Sequence, residues 1–483
     1  MFTNGQCPAL TNAQSALTNA KTIACSSIAR VVEKLKQNWS AEIDEPAIIE
    51  ACTDAQHPWR DRKLGPVATV QMFLLQILNG NTACNHVVRL AGKDVTGGAY
   101  CEARSRLPLA VLQTLLMRCT AKMSESVRET GLWLGHRLFI LDGSSFSMSD
   151  NQPLQDYFGQ SGQQAKGCGF PTAHWLALVH FGSGLIQKVF TGPLRTHDLA
   201  GVPQVHPELK TGDIALGDRA FCSYAHLALL LAQGVLGIFR AHQRLIVDFT
   251  LNRPHVDQKS RGKKGSKGLP TSRWVKSLGP LDQIVEWVRP QSVPSWLTVE
   301  AFAAILPTML VRELRYNIER PGFRVKQITL ATTLLDPERY PRDELARAYG
   351  LRWNIETCFG HLKTTMQMDV LHCQTVTGVL KELTMFLLVY NMVRMTMLAA
   401  AERQGVAVER ISFVDALRWL AISQLRWLGA EHRADELPDL VVNPLRPGRY
   451  EPRVRKRRLK EYSLMKRPRA VLREALASKG VTP

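Results

Sequence analysis

RLFILDGSSF at residues 137–146 and GDIALGDRAF at residues 212–221 share one pattern, in which a short apolar run ends on an aspartate. Short runs of β-branched and other apolar residues are typical of buried strands. Open α/β sheets bind ligands beyond the carboxyl ends of their strands. The two stretches therefore predict an α/β fold with Asp142 and Asp218 together at one edge of the sheet. The alternatives are a turn at Asp142, where Asp-Gly is a turn signal, a turn at Asp218, and a role for Asp213 in place of Asp218.

The neighbouring sequence extends this α/β layer in both directions. Residues 131–245 contain more short apolar runs and one helical stretch, so we interpret them as the first part of a core: Trp175–Phe181, Leu185–Phe190 and Val235–Arg240 as strands, Tyr224–Ala232 as a helix. Residues 1–130 have helical apolar spacing, at Val67–Leu78 and Leu109–Met117. They predict a helical N-terminal domain that binds DNA, or alternatively a helical bundle that only packs on the core.

A third acidic residue lies in a more specific setting, the helix-like segment LARAYGLRWNIETCFGHLKTTM at residues 345–366. At about 100° per residue, Tyr349, Arg352, Glu356 and Lys363 fall within a stripe about 60° wide on one face. A carboxylate flanked by a guanidinium, an ammonium and a phenol suits a metal ligand beside groups that hold phosphate. The alternative is a solvated face with an ion pair between Arg352 and Glu356.

Tyrosine, arginine, glutamate and lysine at this spacing resemble the YREK signature of DDE transposases of the IS4 type. LDGSSF and GDRAF resemble the blocks that carry the first and second aspartates of that family, and the three motifs follow in the family order over residues 131–400. The resemblance implies an RNase H-like catalytic core, formed by residues 131–245 and 336–420. It also implies that Asp142, Asp218 and Glu356 hold two Mg²⁺ ions, for which Mn²⁺ would substitute.

The implied reaction is cut-and-paste transposition of an insertion sequence. Cleavage at the element's ends frees 3′-hydroxyls, a hairpin intermediate follows in similar members, and the ends then join target DNA. The resemblance assigns DNA contacts to Tyr349, Arg352 and Lys363, and it implies a homodimer in the synaptic complex. Base-flipping relatives carry a tryptophan on the strand before the glutamate helix, where this chain has Gln327 or Ile328. Four other tryptophans are candidates for stacking on a base: Trp274, Trp287, Trp296 and Trp353.

The long interval between Asp218 and Glu356 predicts an insertion. Residues 246–335 contain alternating apolar and polar residues, so we expect this insertion to be mainly β. Its basic, glycine-containing loop predicts phosphate contacts by Lys263, Lys264 and Arg273. A loop that only improves solubility is the alternative.

The chain is strongly basic, with 61 Lys and Arg against 42 Asp and Glu and a formal net charge of +19. Such a field suits a polyanion such as double-stranded DNA. Residues 421–483 form a C-terminal region whose basic tail predicts further DNA contacts, at Arg455, Lys456, Arg457 and Arg458. Val376–Ala401 is strongly apolar but is interrupted by Asn391 and Arg394, so we expect a core helix and no membrane span.

These observations predict a cytoplasmic, nucleoid-associated bacterial enzyme that binds DNA and has no membrane segment. Two alternatives remain at this point. One is an inactive or domesticated relative that binds DNA without cutting it. The other is a metal-dependent RNase H-like nuclease that hydrolyses DNA without transferring a strand.

Overall fold

One mixed β-sheet organises the protein. The computed structural model describes residues 43–60, 62–162, 164–257, 268–318, 327–427, 439–445 and 467–478. Within these residues ten strands join the sheet: β1 (Leu138–Met148), β2 (Thr172–His180), β3 (Ile186–Pro193), β4 (Ile214–Gly217), β5 (Leu236–Arg240), β6 (Arg273–Gly279), β7 (Asp282–Val288), β8 (Thr308–Asn317), β9 (Gln327–Thr332) and β10 (Val370–Leu371).

The strand order is β3-β2-β1-β4-β5-β9-β8-β7-β6, and β10 pairs with β1. The centre is parallel, since β1 pairs with β4 and β4 with β5 in parallel, whereas β2 and β3 extend it in antiparallel fashion. All four residues of β4 are buried, as expected for a parallel strand that is covered on both faces.

Helices cover both faces of the sheet. The described helices are α1 (Glu45–Asp54), α2 (Pro66–Leu78), α3 (Cys84–Leu90), α4 (Gly97–Arg106), α5 (Leu109–Ser126), α6 (Gln152–Phe158), α7 (Asp198–Val205), α8 (Tyr224–Ala232), α9 (Val299–Ala304), α10 (Arg342–Leu351), α11 (Asn354–Gly360), α12 (Val376–Arg403), α13 (Phe413–Trp427) and α14 (Arg469–Ala477). One core lies between the sheet and the layer of α2, α5 and α12; a second lies between the opposite face and α7, α8 and α9. The protein is therefore a mixed α/β fold.

The strands predicted for the insertion are present as β6–β9, with the short helix α9 between β7 and β8. They do not form a sheet of their own. Strand β9 pairs with β5 of the core, from Ile238↔Thr332 to Arg240↔Leu330. The insertion therefore continues the core sheet, because β5 would otherwise expose an unpaired edge.

The predicted helix Tyr224–Ala232 is confirmed at both ends as α8. The Ser223 hydroxyl caps it by accepting a hydrogen bond from the His226 amide at 3.3 Å. The predicted helical spacing at Val67–Leu78 and Leu109–Met117 is found in α2 and in the longer α5. Local apolar periodicity was sufficient to predict the helices at these positions.

Helix α12 is long and apolar enough to cross a membrane by length and composition, but 94% of its apolar window is buried inside the fold. The prediction of a core-packing helix is confirmed. The two polar residues that interrupt it bind the β2–β3 hairpin. The Asn391 side-chain amide accepts from the Ile186 N–H and donates to the Ile186 carbonyl, both at 2.9 Å. Arg394 donates to the Ser183 carbonyl at 3.0 and 2.7 Å.

Strand β1 is longer than its apolar run. It continues through the polar residues after Leu141 as far as Met148, because β2 pairs with it along the whole length. Asp142 therefore lies inside a strand, and the alternative of a turn at Asp142 is wrong. Only the parallel ladder with β4 ends at this point, at Leu141↔Gly217.

The segment at residues 345–366 is not one continuous helix. Helix α10 ends at Leu351, Arg352 and Trp353 form a turn, and α11 begins at Asn354. A π-helical turn then follows at His361–Thr365. Both interruptions change the angular phase of the side chains, so the stripe was calculated for a continuous ideal helix that this segment does not form.

Candidate active site

The parallel register places Asp142 and Asp218 beside each other. The last pair of the β1–β4 ladder is Leu141↔Gly217, and each aspartate is the next residue of its strand or chain. Neighbouring strands are about 4.8 Å apart, so the two carboxylates belong to one small region at the end of this ladder. Asp213, the sequence competitor, lies at the opposite end of β4, where it accepts from Arg137 Nε at 2.8 Å.

Asp142 is held by a cation and an amide. Arg352 Nη1 lies 3.1 Å from Asp142 Oδ2, and the Gly143 N–H donates to Oδ1 at 2.9 Å. The pKa of Asp142 is raised to about 6. Burial is the main cause, the Arg352 guanidinium and the Gly143 amide oppose it, and the charges of Asp218 and Asp198 add to it. Burial thus outweighs the guanidinium and the amide, so Asp142 ionises less easily than an exposed carboxyl.

Tyr349 and Lys363 of the YREK signature lie beside different parts of β1. Tyr349 is buried, and the Arg352 guanidinium lies 5.9 Å from the centre of its ring. Burial raises the pKa of Tyr349, whereas the charges of Arg352 and Arg240 lower it and that of Asp218 raises it. Lys363 Nζ lies 5.5 Å from the ring centre of Phe146, about 13 Å along β1 from Asp142. Tyr349 and Arg352 thus face the acidic residues, and Lys363 lies farther along the strand.

Glu356 is exposed in the first turn of α11. Among the described residues, no three His, Cys, Asp or Glu side chains are grouped so as to hold a metal ion. The strand register places two of the three predicted acids side by side, and the three together do not form such a group among the described residues. Two adjacent carboxylates, one of which already binds a guanidinium, fit a divalent cation in part.

Trp353 lies at the same turn and is 47% exposed. The Arg352 guanidinium lies 4.8 Å from the centre of its ring. Trp287, by contrast, is buried and donates to Glu313 at 3.1 Å. Of these two tryptophans, only Trp353 presents a free ring surface near Asp142.

Of the DNA contacts predicted in the insertion and tail, the structure describes Arg273, which is not at this site. Arg273 is exposed on β6, the outer strand, and pairs with Glu286 at 3.1 Å. Six inter-strand steps separate β6 from β1, which is about 29 Å. The other predicted contacts lie outside the described residues: Lys263, Lys264, Arg455, Lys456, Arg457 and Arg458.

Sequence reasoning missed several polar residues around the acids. Asp198 begins α7, and its Oδ1 lies 2.9 Å from His174 Nε2 on β2. Arg240 is the last residue of β5, and His242 follows it closely. Burial lowers the pKa of His242, as do the charges of Arg244 and Arg219, whereas the charge of Asp218 raises it. A search for polar residues just after a short apolar strand, which found Asp142 and Asp218, would also have found His242 after β5. No sequence signal linked Asp198 to His174.

Residues 133–392, more than half of the chain, match the family model described as the transposase DDE domain. The chain belongs to the DDE transposases. This DDE transposase is 24% identical over 382 residues to the transposase InsG for insertion sequence element IS4 of Escherichia coli strain K12, a match that covers 76% of this chain and 78% of that one. Together these similarities assign it to the IS4 family.

A solved structure gives a weaker likeness. The piggyBac transposase, seen by cryo-electron microscopy in a synaptic complex with hairpin DNA, aligns with a TM-score of 0.45 and 10% identity over 86% of each chain. Membership of the DDE family makes this transposase a DNA-binding, DNA-cleaving enzyme of transposition whose family uses divalent metal ions.

Proposed function

We propose that this DDE transposase moves an insertion sequence by cut-and-paste transposition, using two-metal-ion phosphoryl transfer on an RNase H-like core. The order β3-β2-β1-β4-β5, antiparallel on one side of β1 and parallel on the other, supports that core. The observation that carries the proposal is the placement of Asp142 and Asp218 at the end of the β1–β4 ladder, with Arg352 bound to the first of them.

Asp142, Asp218 and Glu356 would hold two Mg²⁺ ions, and Mn²⁺ would replace them. Two such ions supply activation of the attacking oxygen and stabilisation of the leaving oxygen. Glu356 completes the ligand set by a movement of α11, which the turn at Arg352 and Trp353 separates from α10. Arg352 must at the same time release Asp142, because a guanidinium and a divalent cation compete for one carboxylate.

The released Arg352 is then available to a DNA phosphate, for which its planar fork of donors is suited. Tyr349 and Lys363 hold the same strand on either side of it. Trp353 offers a ring for stacking on a base. Arg273, Lys263, Lys264 and the tail residues Arg455–Arg458 contribute contacts to phosphates that do not depend on the DNA sequence.

The proposed sequence of events is hydrolysis at the 3′ ends of the element, formation and reopening of a hairpin, and transfer of the 3′-hydroxyl strands into target DNA. The substrates are the terminal inverted repeats and a target duplex. Two copies of the chain act in the synaptic complex, in the bacterial cytoplasm at the nucleoid.

The test is an assay of the purified full chain with Mg²⁺ and a DNA fragment that carries the element's terminal repeats. We expect cleavage at the 3′ ends and joined products with a target plasmid. Asp142→Asn, Asp218→Asn and Glu356→Gln should each abolish both products. Glu300→Gln, a change of an exposed carboxylate on α9, is the matched control and should retain both.

Two other outcomes would replace the proposal. Binding without cleavage would support the DNA-binding relative, and nicking without joined product would support the nuclease. An active Glu356→Gln variant would remove Glu356 from the ligand set and leave Asp142 and Asp218 as the remaining proposed ligands.

A further inference from the structure

Gly143 is an unusual residue for its position. It lies inside β1, paired with Leu176, directly after Asp142. Glycine weakens a strand interior and often marks the close approach of another group. A Cβ at this position would lie 2.5 Å from Asp198 Oδ1 and 3.2 Å from His174 Cε1. The Asp198–His174 pair therefore occupies the space that a side chain of residue 143 would fill.

The two members of the pair depend on each other. His174 Nε2 and Asp198 Oδ1 are 2.9 Å apart, and their side chains are 13% and 28% exposed. Both atoms are inaccessible to solvent, and neither makes a hydrogen bond of normal geometry to a described residue, so the contact that joins them is the ion pair. Since a buried polar atom is costly without a partner, loss of either side chain strands the other. Asp198 is also fixed by its place as the first residue of α7.

The pair contacts β1 at the point where the sheet supports it least. Strand β4 accompanies β1 only as far as Leu141, whereas β2 continues beside Asp142 and Gly143. Successive residues of a strand point to opposite faces, so the pair presses on Gly143 from the face opposite to the Asp142 side chain. Any shift of the backbone at Gly143 moves Asp142.

We propose that Asp198 and His174 form a brace that fixes β1 at Gly143 and thereby holds the Asp142 carboxylate in place for a divalent cation. Both are positioning residues. They act through the backbone of β1. The inference rests on the proposed function, because it concerns the same cation site.

The test is a titration of the full chain with Mn²⁺ without DNA, in which electron paramagnetic resonance measures the free ion. Asp198→Ala and His174→Ala should each weaken Mn²⁺ binding about tenfold, the usual size of such indirect effects on a metal. The double variant should be no weaker than either single one, since each change already destroys the brace. Asp198→Asn keeps an acceptor for His174 and should retain an affinity within about threefold of the unchanged chain.

Leu199→Ala is the matched control. It removes a buried side chain from the same helix, so it should lower the melting temperature and leave Mn²⁺ binding unchanged. Unchanged binding in Asp198→Ala and His174→Ala would overturn the brace, as would an equal loss in Leu199→Ala. The proposed function fails together with the brace if the unchanged chain binds no Mn²⁺, or if Asp142→Ala leaves its Mn²⁺ binding intact. If Mn²⁺ binding depends on Asp142 but is unchanged in Asp198→Ala and His174→Ala, the brace alone fails.

Discussion

At the scale of single residues, the chemistry of the site depends on the charge balance at Asp142. This carboxyl is largely buried beside two further acids, and Arg352 is the cation that contacts it. Burial and like charge favour the protonated form, while the guanidinium favours the ionised form. A divalent cation reverses the local preference, because it binds the carboxylate and displaces the proton.

Mn²⁺ binding should therefore depend on pH near the pKa of Asp142, which is about 6. That pKa is raised above the ordinary carboxyl value, so the group is protonated below about pH 6 and the proton competes with the ion. We expect the affinity to fall by about tenfold per pH unit below 6 and to level off above it. The measurement is an Mn²⁺ titration between pH 5 and pH 8. A profile that stays flat down to pH 5 would show that Asp142 is not a ligand.

Arg352 should compete with the ion for the same carboxylate. Arg352→Gln removes the positive charge that lies 3.1 Å from Asp142, so we expect Mn²⁺ affinity without DNA to rise several-fold. This change corresponds to roughly 1 kcal/mol of binding free energy. Affinity for the terminal-repeat DNA should fall in the same variant. Arg347→Gln, an exposed change on α10, is the control for both measurements. Unchanged Mn²⁺ affinity would mean that the Arg352 guanidinium does not compete with the ion for Asp142.

At the scale of elements, α12 and the edge strand β3 stabilise each other through Asn391. A β3 edge presents unpaired amides and carbonyls, and the Asn391 amide satisfies both groups of Ile186 at 2.9 Å. The polar residues that interrupt an otherwise apolar helix are thus the ones that attach the hairpin to the core. Buried polar groups of this kind specify one arrangement of neighbouring elements.

Asn391→Leu should destabilise the protein by about 2–4 kcal/mol, because the N–H and the C=O of Ile186 would both be left buried without partners. Chemical denaturation measures this free energy of unfolding. Thr396→Val is the control on the same helix, since the Thr396 hydroxyl donates to the Met392 carbonyl at 3.0 Å within the helix. A loss in Asn391→Leu no larger than that in Thr396→Val would contradict the role of Asn391.

At the scale of the whole molecule, one sheet carries both the acidic site and the insertion, and the chain as a whole has a formal net charge of +19. The acids form a small negative region within a protein that is otherwise attractive to phosphate. Most of the binding energy for DNA should therefore arise from contacts far from Asp142, and it should depend strongly on salt.

The basic cluster of the tail gives a test of that dependence. Replacement of Arg455, Lys456, Arg457 and Arg458 by alanine should reduce the slope of log affinity against log salt by up to about 3.6, or 0.9 for each lost phosphate contact on B-DNA. The measurement is binding of a random-sequence duplex at several salt concentrations. Arg403→Ala, at an exposed arginine that pairs with Asp439, is the control and should leave the slope unchanged.

The amino-acid sequence by itself determined the class of the fold, the helix α8, the core role of α12 and the family. These features depend on local apolar periodicity, on net charge and on motifs whose members are close along the chain. Strand β1 was only half visible, since its second half is polar and is held by pairing with β2.

Only the tertiary structure decided which groups meet. The ladder between β1 and β4 brings Asp142 beside Asp218, α7 returns Asp198 to His174 beneath Gly143, and a turn at Arg352 and Trp353 interrupts the helix predicted around Glu356. The physical reason is that contacts between distant segments follow from packing and strand register, and periodicity within one segment contains no information about either.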